Sequence, residues 1–289
     1  MNESEKIHQI NKIGKLFKRQ LACPLYGMEK SYEEYKMWRS SEEGCACTED
    51  DKIIQSCYEK ALTELAGRMP FEEKLEAADD KSQLLDIYKA YLLNEKQIGD
   101  PGRITILYER AVSDLSLEPT LWLDYIQYVQ TNIKIYDIID KIYTRAVRNV
   151  PWCVKIWQAW IRFYEKNNCS LSETLKVFEN ALAAGFSTPT EYKDLWMTYL
   201  EYLRRGLNEA ENEDKHINMI RNAFNRACEH LAAFGLEGDP GCDILQFWAR
   251  FEAIHANDME KTRQLWADIM SQGHSDSYAS WLEYISLEK

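Results

Sequence analysis

Arg103 to Val129 holds a pattern that returns at a fixed spacing, and that spacing constrains the fold more tightly than any other feature of the chain. Tyr108-Glu109-Arg110-Ala111-Val112 closes one helical stretch, a short connection carries Pro119, and Trp122 and Tyr125 open the next. The same features return as Tyr143 and Ala146, then Pro151, then Trp157 and Trp160. They return again as Phe178 and Ala181, then Pro189, then Trp196 and Tyr199. Tyr108 and Tyr143 lie 35 residues apart, and so do Trp122 and Trp157. A single helical hairpin of that length cannot bury its own apolar face. Repetition at this period therefore predicts hairpins stacked on one another, an all-α superhelix or solenoid of antiparallel helix pairs.

Followed along the chain, the pattern predicts one array over residues 1–289. Its units fall at 1–26 (partial), 27–66, 82–117, 118–150, 151–185, 188–234, 240–272 and 277–289 (partial). Ile7 to Leu21 reads as a helix with Ile10, Ile13, Leu16, Phe17 and Leu21 on one face. It has the character of a second helix with no first before it. The chain stops at Trp281, Tyr284 and Glu288 in a first helix with no second after it. Both ends are thus expected to cut a hairpin, as in a piece of a longer array.

Between these ends, Ser31 to Trp38 supplies a first helix, Gly44 to Asp50 a loop, and Lys52 to Leu65 a second helix marked by Tyr58 and Ala61. Glu64 to Gln83, rich in Glu, Asp and Lys, reads as a polar and partly helical insertion, since long bare loops are uncommon in compact domains. Ser82 to Lys96 carries Tyr88 and Tyr91. At Gly99-Asp100-Pro101, Asp100 is placed to cap the next helix and Pro101 suits its first position, where no amide donor is needed. Gly238-Asp239-Pro240 is expected to repeat that junction. A helix from Trp196 to about Arg205 precedes an acidic insertion, Glu209 to Asp214, and pairs with Ile217 to Leu231, which holds Phe224 and Ala227. Trp248 and Phe251 open a further pair with Leu265 and Trp266.

An aromatic ring followed three positions later by Ala recurs at Tyr58–Ala61, Tyr108–Ala111, Tyr143–Ala146, Phe178–Ala181 and Phe224–Ala227. Residues three apart share a helix face. The Ala is expected to admit close approach of the paired helix while the ring fills the space beside it, and each following Trp to cover the seam to the preceding unit. Gln20 and Ile269 stand at the Ala position in the outer units. Rings at such sites could instead serve as base-stacking platforms. Their lock to helix phase and repeat period favours a core role. Glu95, Arg110 and Glu288 are candidates for buried or interface ion pairs, against a reading as solvated helix charges of little worth.

The formal net charge of −12, from 35 basic and 47 acidic residues, argues against general nucleic-acid binding, which draws on Lys and Arg to release counterions. Arg145 with Arg148, and Arg204-Arg205, are the local basic spots that could oppose this. The eight cysteines lack the regularity of a disulfide scaffold, so a reducing compartment is expected. Cys45, Cys47 and Cys57 have no second ligand pair at zinc-site spacing, and no metal or cofactor is expected. With no apolar run of bilayer length and a polar N-terminus, no membrane association is expected.

Trp-x-x-Tyr opening one helix and Tyr-Glu-Arg-Ala-Val closing the next resemble the half-a-tetratricopeptide (HAT) repeat, and the resemblance covers essentially the whole chain. The runs Gly99 to Ile104, Arg145 to Trp152, Ala181 to Phe186, Tyr199 to Arg205 and Asn257 to Trp266 further resemble the HAT proteins that recycle U4/U6 small nuclear ribonucleoproteins (snRNPs). The resemblance implies a nuclear splicing factor whose repeats, tetratricopeptide-like helix pairs, form a scaffold. Its implied partners are spliceosomal and snRNP proteins, ubiquitin-specific proteases and a second copy of itself. RNA would be bound mainly through RNA-recognition motifs elsewhere in such proteins, and no Lys/Arg-Gly-Phe/Tyr-Gly-Phe run is present here. Direct binding of U6 RNA by the repeats, through the basic spots above, and a HAT scaffold for another RNA-processing complex, such as mRNA 3′-end processing, are the alternatives. Catalysis is not expected. His8, His216, His230, His255 and His274 are scattered, with no His-Glu-x-x-His, phosphate loop or Gly-x-Ser-x-Gly.

Overall fold

The structure, a computed structural model, describes residues 3–42, 44–209 and 213–288, and no strand occurs among them. Fourteen α-helices follow in order: α1 (Glu3–Leu21), α2 (Met28–Arg39), α3 (Asp51–Glu76), α4 (Lys81–Ile98), α5 (Pro101–Asp114), α6 (Pro119–Asn132), α7 (Tyr136–Asn149), α8 (Val154–Lys166), α9 (Leu171–Leu182), α10 (Pro189–Arg205), α11 (Glu213–Ala232), α12 (Asp243–Ile254), α13 (Met259–Ile269) and α14 (Tyr278–Leu287). Internal contacts divide the chain into two compact units, Met1–Leu107 and Tyr108–Lys289, where periodicity alone predicts one array. The expected acidic insertion, Glu209 to Asp214, lies partly outside the described residues.

Helix boundaries follow from local chemistry. Ser170 and Thr188 each form a capping box with the Glu three positions on, Glu173 and Glu191, which satisfies amides that have no partner inside the helix. Pro119 and Pro189 occupy first positions. At the first Gly-Asp-Pro junction Gly99 ends α4 with φ of 85°, and Asp100 accepts from the amide of Gly102 at 3.0 Å. The second junction departs from expectation, because α12 starts at Asp243 and not directly after Asp239. Asp239 still caps, but it reaches ahead to the amides of Asp243 and Ile244 at 3.0 and 2.9 Å. Cys242, between them, adopts a left-handed φ of 52°.

In the first unit α1, α2 and α3 enclose Leu21, Tyr35 and Ile54, with Phe17, Tyr32, Trp38 and Tyr58 packed around them. Arg39 fastens the connection into α3 by donating to the carbonyls of Gly44 and Cys47 and to the carboxylate of Asp51. Gly44 is required there, since a Cβ would sit 2.0 Å from the Trp38 carbonyl oxygen.

The segment expected as a polar insertion is instead a continuation of α3, which runs through Pro70 to Glu76 and leaves a short link before α4. Two of its polar residues, Arg68 and Glu72, face α4, while Glu73, Lys74 and Glu76 stay exposed. Arg68 donates to both carboxylate oxygens of Glu95, at 2.5 and 3.2 Å, Phe71 stacks on Tyr91 at 4.9 Å, and Glu72 accepts from the Tyr91 hydroxyl. Glu95, only 2% exposed, and Arg68, also enclosed, therefore form a buried ion pair. Glu288 also pairs, with Arg263, but at the surface, and Arg110 is exposed.

Breaking a buried pair strands one charge, whereas replacing both partners by apolar groups does not. Arg68 also holds the half-buried Glu64 at 3.2 Å. Glu95→Ala, which leaves the guanidinium with that partner alone, is therefore expected to destabilise the first unit by about 3 kcal/mol, the low end for a broken buried pair. Glu95→Leu combined with Arg68→Met is expected to recover most of that loss. Urea unfolding followed by circular dichroism measures both.

Candidate interaction surface

In the second unit α6 and α7, α8 and α9, α10 and α11, and α12 and α13 form hairpins, with α8 also packed along α10. Each seam between consecutive hairpins is made by rings. Tyr108 stacks on Tyr125 at 5.0 Å, Tyr143 on Trp160 at 5.7 Å, and Phe178 on Tyr199 at 3.9 Å. Phe224 lies against both Trp248 and Phe251, and Trp266 against Tyr284. The ring three positions after the opening Trp therefore does much of the seam covering expected of the Trp itself. In the first unit Phe71 and Tyr91 make the equivalent stack, while Tyr58 stacks on Tyr32 inside its own hairpin and Tyr88 is buried. Ala61, Ala111, Ala146, Ala181 and Ala227 are all buried.

The opening tryptophans have a second duty. The indole N–H of Trp122, Trp157 and Trp281 donates to the carbonyl six residues earlier, on Ser116, Pro151 and Ser275, at 2.8, 2.8 and 2.7 Å. The ring thus ties the turn to the helix it starts. Trp196 donates instead to His230 Nδ1 at 3.1 Å, and Trp248 to Glu252 at 2.8 Å. Trp281 is 43% exposed, while its counterparts are buried.

Outside the rings runs a set of charged braces that the sequence reading did not identify. Glu109 accepts from Tyr125 at 2.7 Å and from both terminal nitrogens of Arg145 at 2.9 and 2.7 Å, and the Arg145 guanidinium lies 5.6 Å from the Trp122 ring. These bonds hold the Glu109 carboxyl below its ordinary range, chiefly through Arg145. Glu179, Arg226 and Trp196 repeat the arrangement. The register is readable in retrospect: the Glu follows one ring, and the Arg stands two positions after the ring of a later second helix. Glu252, with no exposed surface, accepts from Arg221 at 2.8 and 2.6 Å as well as from Trp248.

These contacts consume the features that suggested RNA. Nearly all the signature rings are buried or half-buried, so they are not free to stack on bases. Each basic spot loses one arginine to a brace, Arg145 to Glu109 and Arg205 to Glu165 and Glu201. Among the described residues Arg148 and Arg204 have no ion-pair partner. Among those residues, too, no group of three or more His, Cys, Asp or Glu could hold a metal, and no helix is long and apolar enough to cross a membrane.

Family models match over most of the chain, the PRP39 C-terminal HAT repeat over residues 66–183 and the PRP39 N-terminal HAT repeat over residues 134–286. The chain belongs to the HAT repeat family. Both HAT models fit residues 134–183, as expected if successive HAT hairpins are variants of one unit. Across 97% of its length the chain is 40% identical to the spliceosome associated factor 3, U4/U6 recycling protein, of Mus musculus. It is 39% identical to the Homo sapiens protein of that name and 36% to that of Danio rerio. It spans 29% of the length of these relatives.

Emptying one seam site leaves a cavity that neighbouring hairpins fill only in part. Trp157→Ala is expected to cost about 3–5 kcal/mol, and Ala146→Leu about 1–3 kcal/mol by overpacking, each read by chemical denaturation. The Trp196–His230 contact inside the α10–α11 hairpin also carries a pH dependence. Burial, aided by Arg226, lowers the pKa of His230 from 6.5, and Nδ1 must stay unprotonated to accept from Trp196. The neutral ring's contribution is complete above the unfolded pKa and is lost as pH falls below about 6.5 through the lowered folded value. Stability measured between neutral pH and pH 5 is expected to fall more steeply in the parent than in His230→Gln.

Proposed function

We propose that this chain is a non-catalytic interaction scaffold of a nuclear pre-mRNA splicing factor that acts in U4/U6 snRNP reassembly. The observation that carries this reading is 40% identity to a U4/U6 recycling protein sustained over nearly the whole chain, with no long stretch left unmatched. The physical layout supports it. The signature rings serve the seams and most arginines serve braces, which leaves helix faces and turns, surfaces suited to holding other proteins.

Spliceosomal and snRNP proteins are the first class of partner, with ubiquitin-specific proteases and a second copy of the chain as further ones. RNA is engaged mainly by other parts of the full protein. The net charge of −12 and the neutralised basic spots favour that division of labour. The immobilised chain, incubated with ribonuclease-treated nuclear extract, is expected to retain U4/U6 snRNP proteins. Retention that vanishes on ribonuclease treatment, or that never occurs, would overturn the reading. Light scattering of the purified chain tests self-association, with twice the 33.9 kDa chain mass expected.

A further inference from the structure

The opening tryptophans of α6, α8, α10 and α12, Trp122, Trp157, Trp196 and Trp248, are separated by 35, 39 and then 52 residues. At the spacing of 39, α8 and α10 are bridged along their length. Gln158 of α8 donates to the Asp194 carbonyl and the Thr198 hydroxyl of α10, and Arg205 of α10 holds Glu165 of α8. Where the spacing stretches, α10 and α12 are joined near their starts by Lys193 and Asp243. Toward their ends no hydrogen bond or ion pair joins them among the described residues. A groove of about 290 Å³ opens there instead.

Met197 and Arg204 of α10, Phe247, Arg250 and Ile254 of α12, and His255 line this groove. Ile254 is 61% exposed, an apolar side chain held at the surface beside a guanidinium that has no ion-pair partner. The other charges are already countered, Glu201 by Arg205 and Arg250 by Glu283. Burial and the nearby Arg204 favour neutral His255, so the uncompensated charge at the groove is that of Arg204.

We propose that the groove between α10 and α12 is a docking site for a short segment of a partner protein that pairs an apolar side chain with a carboxylate. The apolar side chain would lie on Ile254 and Met197, and the carboxylate would face Arg204, whose planar fork of donors matches it. The volume lies at the lower edge of what accepts a small organic ligand, roughly 300–1,000 Å³, and suits one or two side chains. A nucleic-acid strand is the poorer fit. It would meet a single uncompensated cation, and Phe247 and Phe251 are buried and offer no open face to a base. The proposal rests on the scaffold reading, and it assigns one surface and one ligand chemistry to it.

The test is selection of a random-peptide phage library on the whole chain, followed by fluorescence polarisation of the enriched peptide. An acidic–apolar consensus is expected. Its affinity should fall on the order of tenfold or more in Arg204→Glu and in Ile254→Asp, and stay unchanged in Arg148→Glu, which reverses an unpaired arginine elsewhere. Circular dichroism of each variant verifies the fold. The proposal fails if no peptide is enriched, if the enriched peptide ignores both groove variants, or if an oligouridylate binds in its place with the Arg204 dependence. Retention of snRNP proteins by the parent chain alongside such a failure removes the groove alone. Loss of that retention as well removes the scaffold reading.

Discussion

Ring-on-ring contact between consecutive hairpins is the interaction on which the second unit depends. Tyr108 on Tyr125, Tyr143 on Trp160 and Phe178 on Tyr199 each join the second helix of one hairpin to the first helix of the next. A hairpin has too little apolar surface of its own to offset the entropy of ordering it, so stability is a sum of such nearest-neighbour terms. Aromatic rings suit the task because each removes a large area from water while keeping few rotatable bonds, and offset stacking adds a further directional preference. The indole N–H bonds of Trp122 and Trp157 to the preceding turn then set where those two hairpins begin.

Around this apolar seam the charged residues are organised in a way that a net charge of −12 does not suggest. Glu109 and Glu179 are each grasped by an arginine from a later second helix, and that arginine also covers a tryptophan. Paired, hydrogen-bonded and laid on a ring, such an arginine contributes through packing as well as through charge. The same economy explains why the basic spots make a poor phosphate track. The arginines that look free in the sequence are largely committed to carboxylates.

Much of the fold is legible in the sequence because its controlling variable, the spacing of rings and alanines, is written there directly. The hairpins from Tyr108 to Leu182 keep that spacing, and their helices lie where it puts them. Legibility falls where a physical cause is not local. Glu64 to Gln83 looks like an insertion because its charges are plentiful, yet Arg68 and Glu72 find partners on α4, and Pro70 is accommodated within α3. The second Gly-Asp-Pro junction looks like the first, but Asp239 also draws Lys193 at 3.6 Å and caps from farther back. The braces pair residues some 36 to 47 positions apart, and neither residue alone carries a signal. The groove beside Arg204 was legible only as a lengthened period.

The braces recur on alternate joints. Glu109 ties α5 to α7 and Glu179 ties α9 to α11, whereas Thr144 and Asn180 occupy the corresponding places between α7 and α9. A hydroxyl and an amide cannot form the bidentate charged clasp made at the other two joints. The second unit therefore has an uneven mechanical grain. Its second-helix row is clasped at α5–α7 and again at α9–α11, with an unclasped joint between. Bending imposed on that unit by a bound partner would be taken up first at that middle joint, where the neighbouring second helices lack the ionic strut.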